Sequence, residues 1–340
     1  MRRRNFVASG AALAVATAPR GARAQAVKTS IGVLRLASSG PLFIAIERGY
    51  FRAEGLEVEP KFFTAAQQIP VAVTAGDAEF GVTGLTAGFY NLAGRGALKI
   101  IAGQSREERG FQLNAYMVTP KAWSDGFRSL RDFPGKRVAI TTAGSTFHYA
   151  LGLLARKYGF PLSRVTMVPL QQLPAMAAAF KGLQVDAAVP PVTLARQMEA
   201  DGGKIIGWVG DETPWQLGAL FTSPGLIRSR RDTVQRFVRA WRKGCSDYHV
   251  AFNTRDGQGK PIQGPGYAEN LEILARAVQQ PPDRVAVGLP YVDPSARLDV
   301  GDIYSQVAFW KAEKQVQGQV DARAVVDTSF IEGHFNVPRA

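Results

Sequence analysis

The sequence predicts an α/β protein made of two similar lobes, each a mainly parallel sheet flanked by helices. From residue 31 short apolar runs alternate with helical segments, the pattern of βαβ units. That pattern then repeats at an offset of about 105 residues: Gly76 and Gly182 each close a helix ahead of an acid-containing strand, and Lys99-Ile100-Ile101 returns as Lys204-Ile205-Ile206. The 340 residues are 46% hydrophobic and 20% charged, enough apolar material for one or two full-sized cores and unlike a disordered or disulfide-scaffold chain. One larger doubly wound sheet is the alternative architecture.

Ile31 to Leu36 is the first expected strand, followed by Ala37-Ser38-Ser39-Gly40 and a helix opened by Pro41, whose fixed φ suits a first helical position. Leu56 to Phe63 is the second, leading through Thr64-Ala65-Ala66 into a helix from Gln67 to Gly76. Phe80 to Thr83 and Leu98 to Ala102 follow, with a helix ending at Gly94 between them. After a break over 107–114 the second series gives strands at Arg137 to Thr141, Val165 to Leu170, Val185 to Val189 and Lys204 to Val209. Its helices are expected over 145–158, 173–180 and from Pro190-Pro191 to about Met198. Ala219 to Thr222 reads as a returning strand. Helices over 231–252, 267–278 and 299–316 then form a tail that packs back on the first lobe.

The formal charge is +13, but five arginines (Arg2, Arg3, Arg4, Arg20, Arg23) lie in the first 26 residues, which hold no acid, so a net charge of +8 remains beyond them. The densest basic run, Arg228 to Lys243, alternates with Val234, Phe237, Val238 and Trp241 at helical spacing. It is the wet face of an amphipathic helix, and no nucleic-acid partner is indicated. Residues 1–26 combine a basic start, an apolar run from Phe6 to Ala18 and overlapping A-x-A sites at Ala22 to Ala26, which reads as an export signal with a twin-arginine-like start. Cys245 is the only cysteine and there are three histidines, so an intramolecular disulfide is excluded and neither a zinc cluster nor a resident cofactor is expected.

Ligands of open α/β sheets sit beyond the carboxyl ends of the strands. Those ends give Ser38, Ser39, Gly40, Ala66, Gln67, Thr83, Gly84 and Gln104 from the first half, and Ser145, Thr146, His148, Gln172 and Pro190 from the second. Trp215 stands where the chain leaves the second half, as an aromatic wall or a packing residue of the hinge. These are hydroxyls, amides and glycines, with carboxylates nearly absent, which disfavours a metal or a cationic ligand. Helix N-termini favour anions, although Ser145 equally suits a plain N-cap and His148 an exposed structural histidine. Arg35, Arg106 and Arg109 are the arginines close enough to a strand end to matter. No nucleophile elbow, Walker A or dinucleotide glycine pattern occurs, so no catalytic residues are assigned.

Several stretches resemble the solute-binding subunits of ABC importers, in the branch of sulfonate-, taurine-, nitrate- and thiamine-pyrimidine-binding proteins. They are Ser39-Gly40-Pro41 with Ala45 to Val58 (Gly49-Tyr50-Phe51 and Glu54-Gly55-Leu56 within it), Ala75 to Gly81, Leu130 to Ala139, and Lys181 to Ala187. The resemblance implies a two-lobe periplasmic binding protein fold of type 2. Its first lobe would be 27–113 plus 222–340 and its second 114–221, with crossovers near Gln112 to Ala115 and Leu220 to Thr222 and a ligand cleft between them. It also implies a small, anionic organic ligand, a permease of the inner membrane as partner, a periplasmic location and a monomer. A pyrimidine-synthase-like enzyme on the same fold, whose cysteine-rich motif this chain lacks, and a periplasmic ligand sensor are the competing readings.

Overall fold

The computed structural model of the chain describes residues 25–337. All but the last two residues of the expected export signal lie outside the described residues. Strands β1 (Val27–Leu34), β2 (Leu56–Phe63), β3 (Phe80–Gly84) and β4 (Lys99–Gly103) are followed by a short β5 (Ser105–Glu107). Next come β6 (Ala115–Val118), β7 (Arg137–Ile140), β8 (Thr166–Pro169), β9 (Ala187–Ala188) and β10 (Lys204–Trp208). The chain returns through β11 (Trp215–Gln216) and β12 (Gly218–Thr222), and β13 (Tyr291–Val292) is the last strand.

The first sheet runs β2-β1-β3-β12-β4 and the second β8-β7-β9-β6-β10. β1 is parallel to β2 and β3, and β7 is parallel to β8 and β9. In each sheet the fourth strand is the antiparallel one: β12 against β3 and β4, β6 against β9 and β10. The two halves therefore share one topology, and each borrows its antiparallel strand from chain that has just crossed over. β6, a four-residue apolar run with no helix before it, falls just past the expected break. β5, β11 and β13 form a third, small sheet in which Trp215 pairs with Glu107, so both crossovers are tied side by side. β12 already pairs in the first sheet from Gly218.

Two cores hold this arrangement. One, on one face of the first sheet, joins Ile31, Val33 and Phe80 to Phe237, Trp241 and Leu274 of the C-terminal helices. Phe237 stacks on Phe80 at 3.9 Å, and the Trp241 indole N–H donates to the Gly103 carbonyl at 3.1 Å. The other is continuous through both lobes: Leu85, Phe89 and Tyr90 from the first, Tyr116, Val138 and Leu151 from the second, and Phe309 and Trp310 from the helix Val300–Ala312. No helix among the described residues is long and apolar enough to cross a membrane.

The helix Gly40–Glu47 lies on the helix Arg231–Phe252 through glycines. Gly244 touches the Pro41 carbonyl, and a Cβ at Gly40 would lie 2.6 Å from the Tyr248 ring. Close backbone approach here leaves no room for a methyl group. Gly244→Ala should therefore destabilise the fold by about 1–3 kcal/mol, read as a lowered urea midpoint with an unchanged m-value.

Candidate functional site

In both sheets the carboxyl ends of the parallel strands lie on one edge, and the structure brings those two edges together. Ala87 N–H, at the start of the helix Ala87–Gly94, donates to the Gly144 carbonyl of the second lobe at 2.9 Å. Gly144 has φ +79°, and a Cβ there would lie 2.8 Å from the Ala87 methyl, so this approach needs glycine. A Cβ at Gly84 would lie 3.0 Å from Thr146 Cγ2. Gly288 approaches Val192 and Thr193 of the second lobe just as closely, at 2.7 and 3.1 Å from a Cβ. The lobes thus touch at both places.

Ser38, Ser39, Gly40, Gly84 and Gln104 gather on the first lobe's side. Gln104 is 2% exposed and its Nε2 donates to the Ser38 carbonyl at 2.9 Å, which fixes the loop ahead of the Gly40 helix. That bond settles the amide's orientation: the nitrogen faces Ser38, and Oε1 is left buried against Gly218 without a hydrogen-bond partner. Ser39 is 1% exposed and precedes the Gly40 helix without capping it, so no side chain serves that N-terminus. Thr83 alternates with Gly84 along β3 and faces the opposite side of the sheet, its buried hydroxyl likewise unpartnered. Ala66 and Gln67 follow β2, the outer strand, and are half-buried two strands away from Gly84.

From the second lobe, Thr146 meets Gly84, while Ser145 caps its own helix by accepting from His148 N–H at 3.4 Å. Pro190 is buried and its carbonyl accepts from Ala115 N–H at 3.0 Å. Gln172 is exposed after the edge strand β8, at the start of the helix Leu173–Lys181.

His148 and Trp215 belong to a different group. The His148 Nδ1 accepts from Gly144 N–H at 3.1 Å, and the ring stands edge-on to Phe309 and Trp310 at 5.9 and 5.3 Å. Burial lowers its pKa from 6.5 to about 4, and Glu313 lies 3.8 Å from Nε2. Trp215 is 1% exposed and packs edge-on to Tyr149 at 4.8 Å. Both rings fill the seam between the helices Thr146–Tyr158 and Val300–Ala312.

Of the three arginines near strand ends, Arg35 donates to the Ala277 carbonyl at 2.6 Å and lies over the Phe62 ring at 3.6 Å. Arg106 pairs with Glu108 and Asp299. Arg109 is exposed. Apart from these arginines, the polar groups predicted at the strand ends are mostly neutral: hydroxyls, amides and backbone N–H groups. A surface groove of about 600 Å³ exists elsewhere, lined by Glu47, Arg48 and Glu272 at the other end of the Gly40 helix.

The sequence reading did not identify the polar network at the crossovers. Glu107 is fully buried, takes the Asn114 amide at 2.5 Å, and is pushed up to about 8 by burial, opposed by bonds from Asn114 and Gly210. Asp302 accepts from Gln216 N–H and Gln306 Nε2, and from the Tyr149 hydroxyl of the second lobe. The signal available was the i, i+4 spacing of Asp302 and Gln306 on a helix that is otherwise apolar on that side.

His148 gives a test of this placement. Its depressed pKa means that protons bind the unfolded chain more tightly, so stability present above pH 6.5 falls as pH drops toward about 4. His148→Gln should flatten that part of the melting-temperature profile, and the wild-type ring should stay neutral at pH 5 by NMR.

A family model described as NMT1/THI5 like matches residues 37–251. A Brucella abortus (strain 2308) chain, named as a binding protein with no stated ligand, is 28% identical over 190 residues. These are 55% of this chain and 54% of that one, so the chain spans about half the length of the curated relatives it matches. Among solved structures, the alkanesulfonate-binding protein SsuA of Xanthomonas axonopodis pv. citri bound to MOPS superposes with a TM-score of 0.70 at 19% identity. That match covers 90% of this chain and 100% of SsuA. The desulfurization enzyme DSZB superposes with a TM-score of 0.59 at 14% identity, covering 89% and 97%. The fold is that of periplasmic binding proteins.

Proposed function

The chain belongs to the NMT1/THI5-like family, and from that premise we propose that it is the extracytoplasmic solute-binding component of an ABC importer. In this reading it captures a small organic anion, sulfonate- or carboxylate-like, between its lobes and delivers it as a monomer to an inner-membrane permease. The observation that carries the reading is the meeting of two matching sheet edges, with Gly84 against Thr146 and Ala87 against Gly144. A ligand between them touches both lobes at once, and its differential contacts shift the population toward the closed form.

The anionic character rests on the N-terminus of the Gly40 helix, which no side chain caps and where the helix dipole favours negative charge, although Gly40 N–H itself donates to the Ala37 carbonyl and Pro41 has no N–H. A net charge of +8 beyond residue 26 adds long-range attraction for anions. With Arg35 and Arg106 engaged elsewhere, neutral donors carry recognition, as suits a ligand that must also be released. The basic, apolar start of the chain supports export to the periplasm.

An enzyme on the same fold is the alternative, given the likeness to DSZB. Cys245, the only thiol, is fully buried and burial raises its pKa, so it offers no thiolate to the gap.

A thermal-shift screen of taurine, ethanesulfonate, benzoate, nitrate and simple pyrimidines tests the proposal. A sulfonate or carboxylate should raise the melting temperature and be recovered unchanged; chemical turnover of the bound compound contradicts the reading. Gln104→Leu should weaken that compound's binding by about tenfold in titration calorimetry, since the Ser38 loop loses its tether.

A further inference from the structure

Val192 and Gly288 meet in a contact that neither apolar core accounts for. Val192 opens the helix Val192–Ala200, directly after Pro190-Pro191 and the second sheet's β9. It is 2% exposed yet lies in neither core, and the Gly288 loop ahead of β13 lies against it. A Cβ at Gly288 would stand 2.7 Å from Val192 Cγ1 and 3.1 Å from Thr193 Cγ2. Gly288 does not have a positive φ, so an added methyl group meets the opposing side chains and no backbone strain.

Both sides of this contact are held rigidly. Val192 N–H donates to the Leu113 carbonyl of the crossover at 2.8 Å, and its β-branched side chain has little rotamer freedom at a helix start. Gly288 N–H donates to the Val285 carbonyl at 3.0 Å. The strand that follows is pinned by Asn253, whose Nδ2 donates to the Pro290 carbonyl at 3.1 Å and whose Oδ1 accepts from Val292 N–H at 2.9 Å. Val285 and Val292 are themselves buried in the core of the first sheet. Two such surfaces in van der Waals contact form a hard stop, because neither can yield to let the other come nearer.

We propose that Gly288 is a positioning residue of the ligand gap: its bare backbone lets Val192 seat, and the seated contact sets the distance at which the two sheet edges hold a guest. This rests on the reading of the chain as a receptor that closes on its ligand. Pro190, two residues before Val192, stands just beyond the carboxyl end of β9, so the stop acts on the second sheet's own ligand edge. Seating covers the valine side chain and so favours the closed arrangement. A guest too bulky for Val192 to seat forfeits that burial, which makes the contact a gauge of ligand size. Neither residue belongs to the core that runs through both lobes, so the two part while the Phe309 and Trp310 seam stays packed.

The test uses the full chain. Val192→Cys places a thiol at the contact, and Cys245, fully buried in the core of the first sheet, is the internal reference. With a maleimide probe the introduced thiol should react about tenfold faster than Cys245, as a local opening outpaces unfolding. Gly288→Ala should quicken that reaction in the absence of any ligand, and the compound that raises the melting temperature should slow it. In titration calorimetry Gly288→Ala should weaken that compound's binding about tenfold, and adding Val192→Ala should restore most of the loss, as expected of residues in contact. An introduced thiol that reacts no faster than Cys245, or at a rate Gly288→Ala leaves unchanged, overturns the proposal. So does a loss of affinity that Val192→Ala does not reduce. A Gly288→Ala chain with a lowered melting temperature and unchanged affinity also overturns it, because a purely structural glycine gives that result. A screen in which no compound binds contradicts the proposed function instead, and the labelling rates then decide this proposal.

Discussion

The packing of the helix Thr146–Tyr158 on the helix Val300–Ala312 is the contact on which the rest of the molecule depends. Gly152 lies directly on the Phe309 ring, and Tyr149, Trp215, Phe309 and Trp310 close around it. The C-terminal helix thereby becomes part of the second lobe's core while its chain remains bound to the first. This seam sets how far apart the two sheet edges stand, and so whether Gly84 can meet Thr146 and Ala87 can meet Gly144. A core shared by two lobes resists arbitrary rearrangement, because interiors pack at crystal-like density and change between discrete arrangements.

The sheet edges meet through small and neutral groups. Glycines at 84, 144 and 218 let backbone and ligand-sized groups come close, and the single amide of Gln104 braces the loop that carries Ser38 and Ser39. Charged side chains near the strand ends are already committed: Arg35 to the Ala277 carbonyl, Arg106 to Asp299 and Glu108. In the proposed function a site of this kind would bind through geometry and desolvated N–H groups, its strength depending on closure that brings both halves to the ligand together.

Much of this was legible in the sequence wherever periodicity is long. The helices Arg231–Phe252 and Tyr267–Val278 and the strand β2 stand where their patterns placed them, because a wide apolar stripe or a full alternation leaves little freedom. The repeat at Gly76 and Gly182 foretold two sheets of one topology. What stayed hidden is made by partners distant in sequence. β5, β11 and β13 are two or three residues long and exist only because they pair with one another. β6 is a short apolar run whose neighbours, β9 and β10, come about 70 to 90 residues later. His148 read as a ligand group or an exposed histidine, and the Phe309 and Trp310 rings that bury it lie far along the chain. The pairing of Gly84 with Thr146 likewise has no local signature.

The central claim, that a guest is held between the two sheet edges, is tested most directly by amide hydrogen exchange with and without the compound that raises the melting temperature. The account predicts slower exchange in both the Leu36–Leu42 and Thr141–His148 segments when the compound is bound. Protection confined to one of those segments, or found instead around Glu47, Arg48 and Glu272, would contradict it.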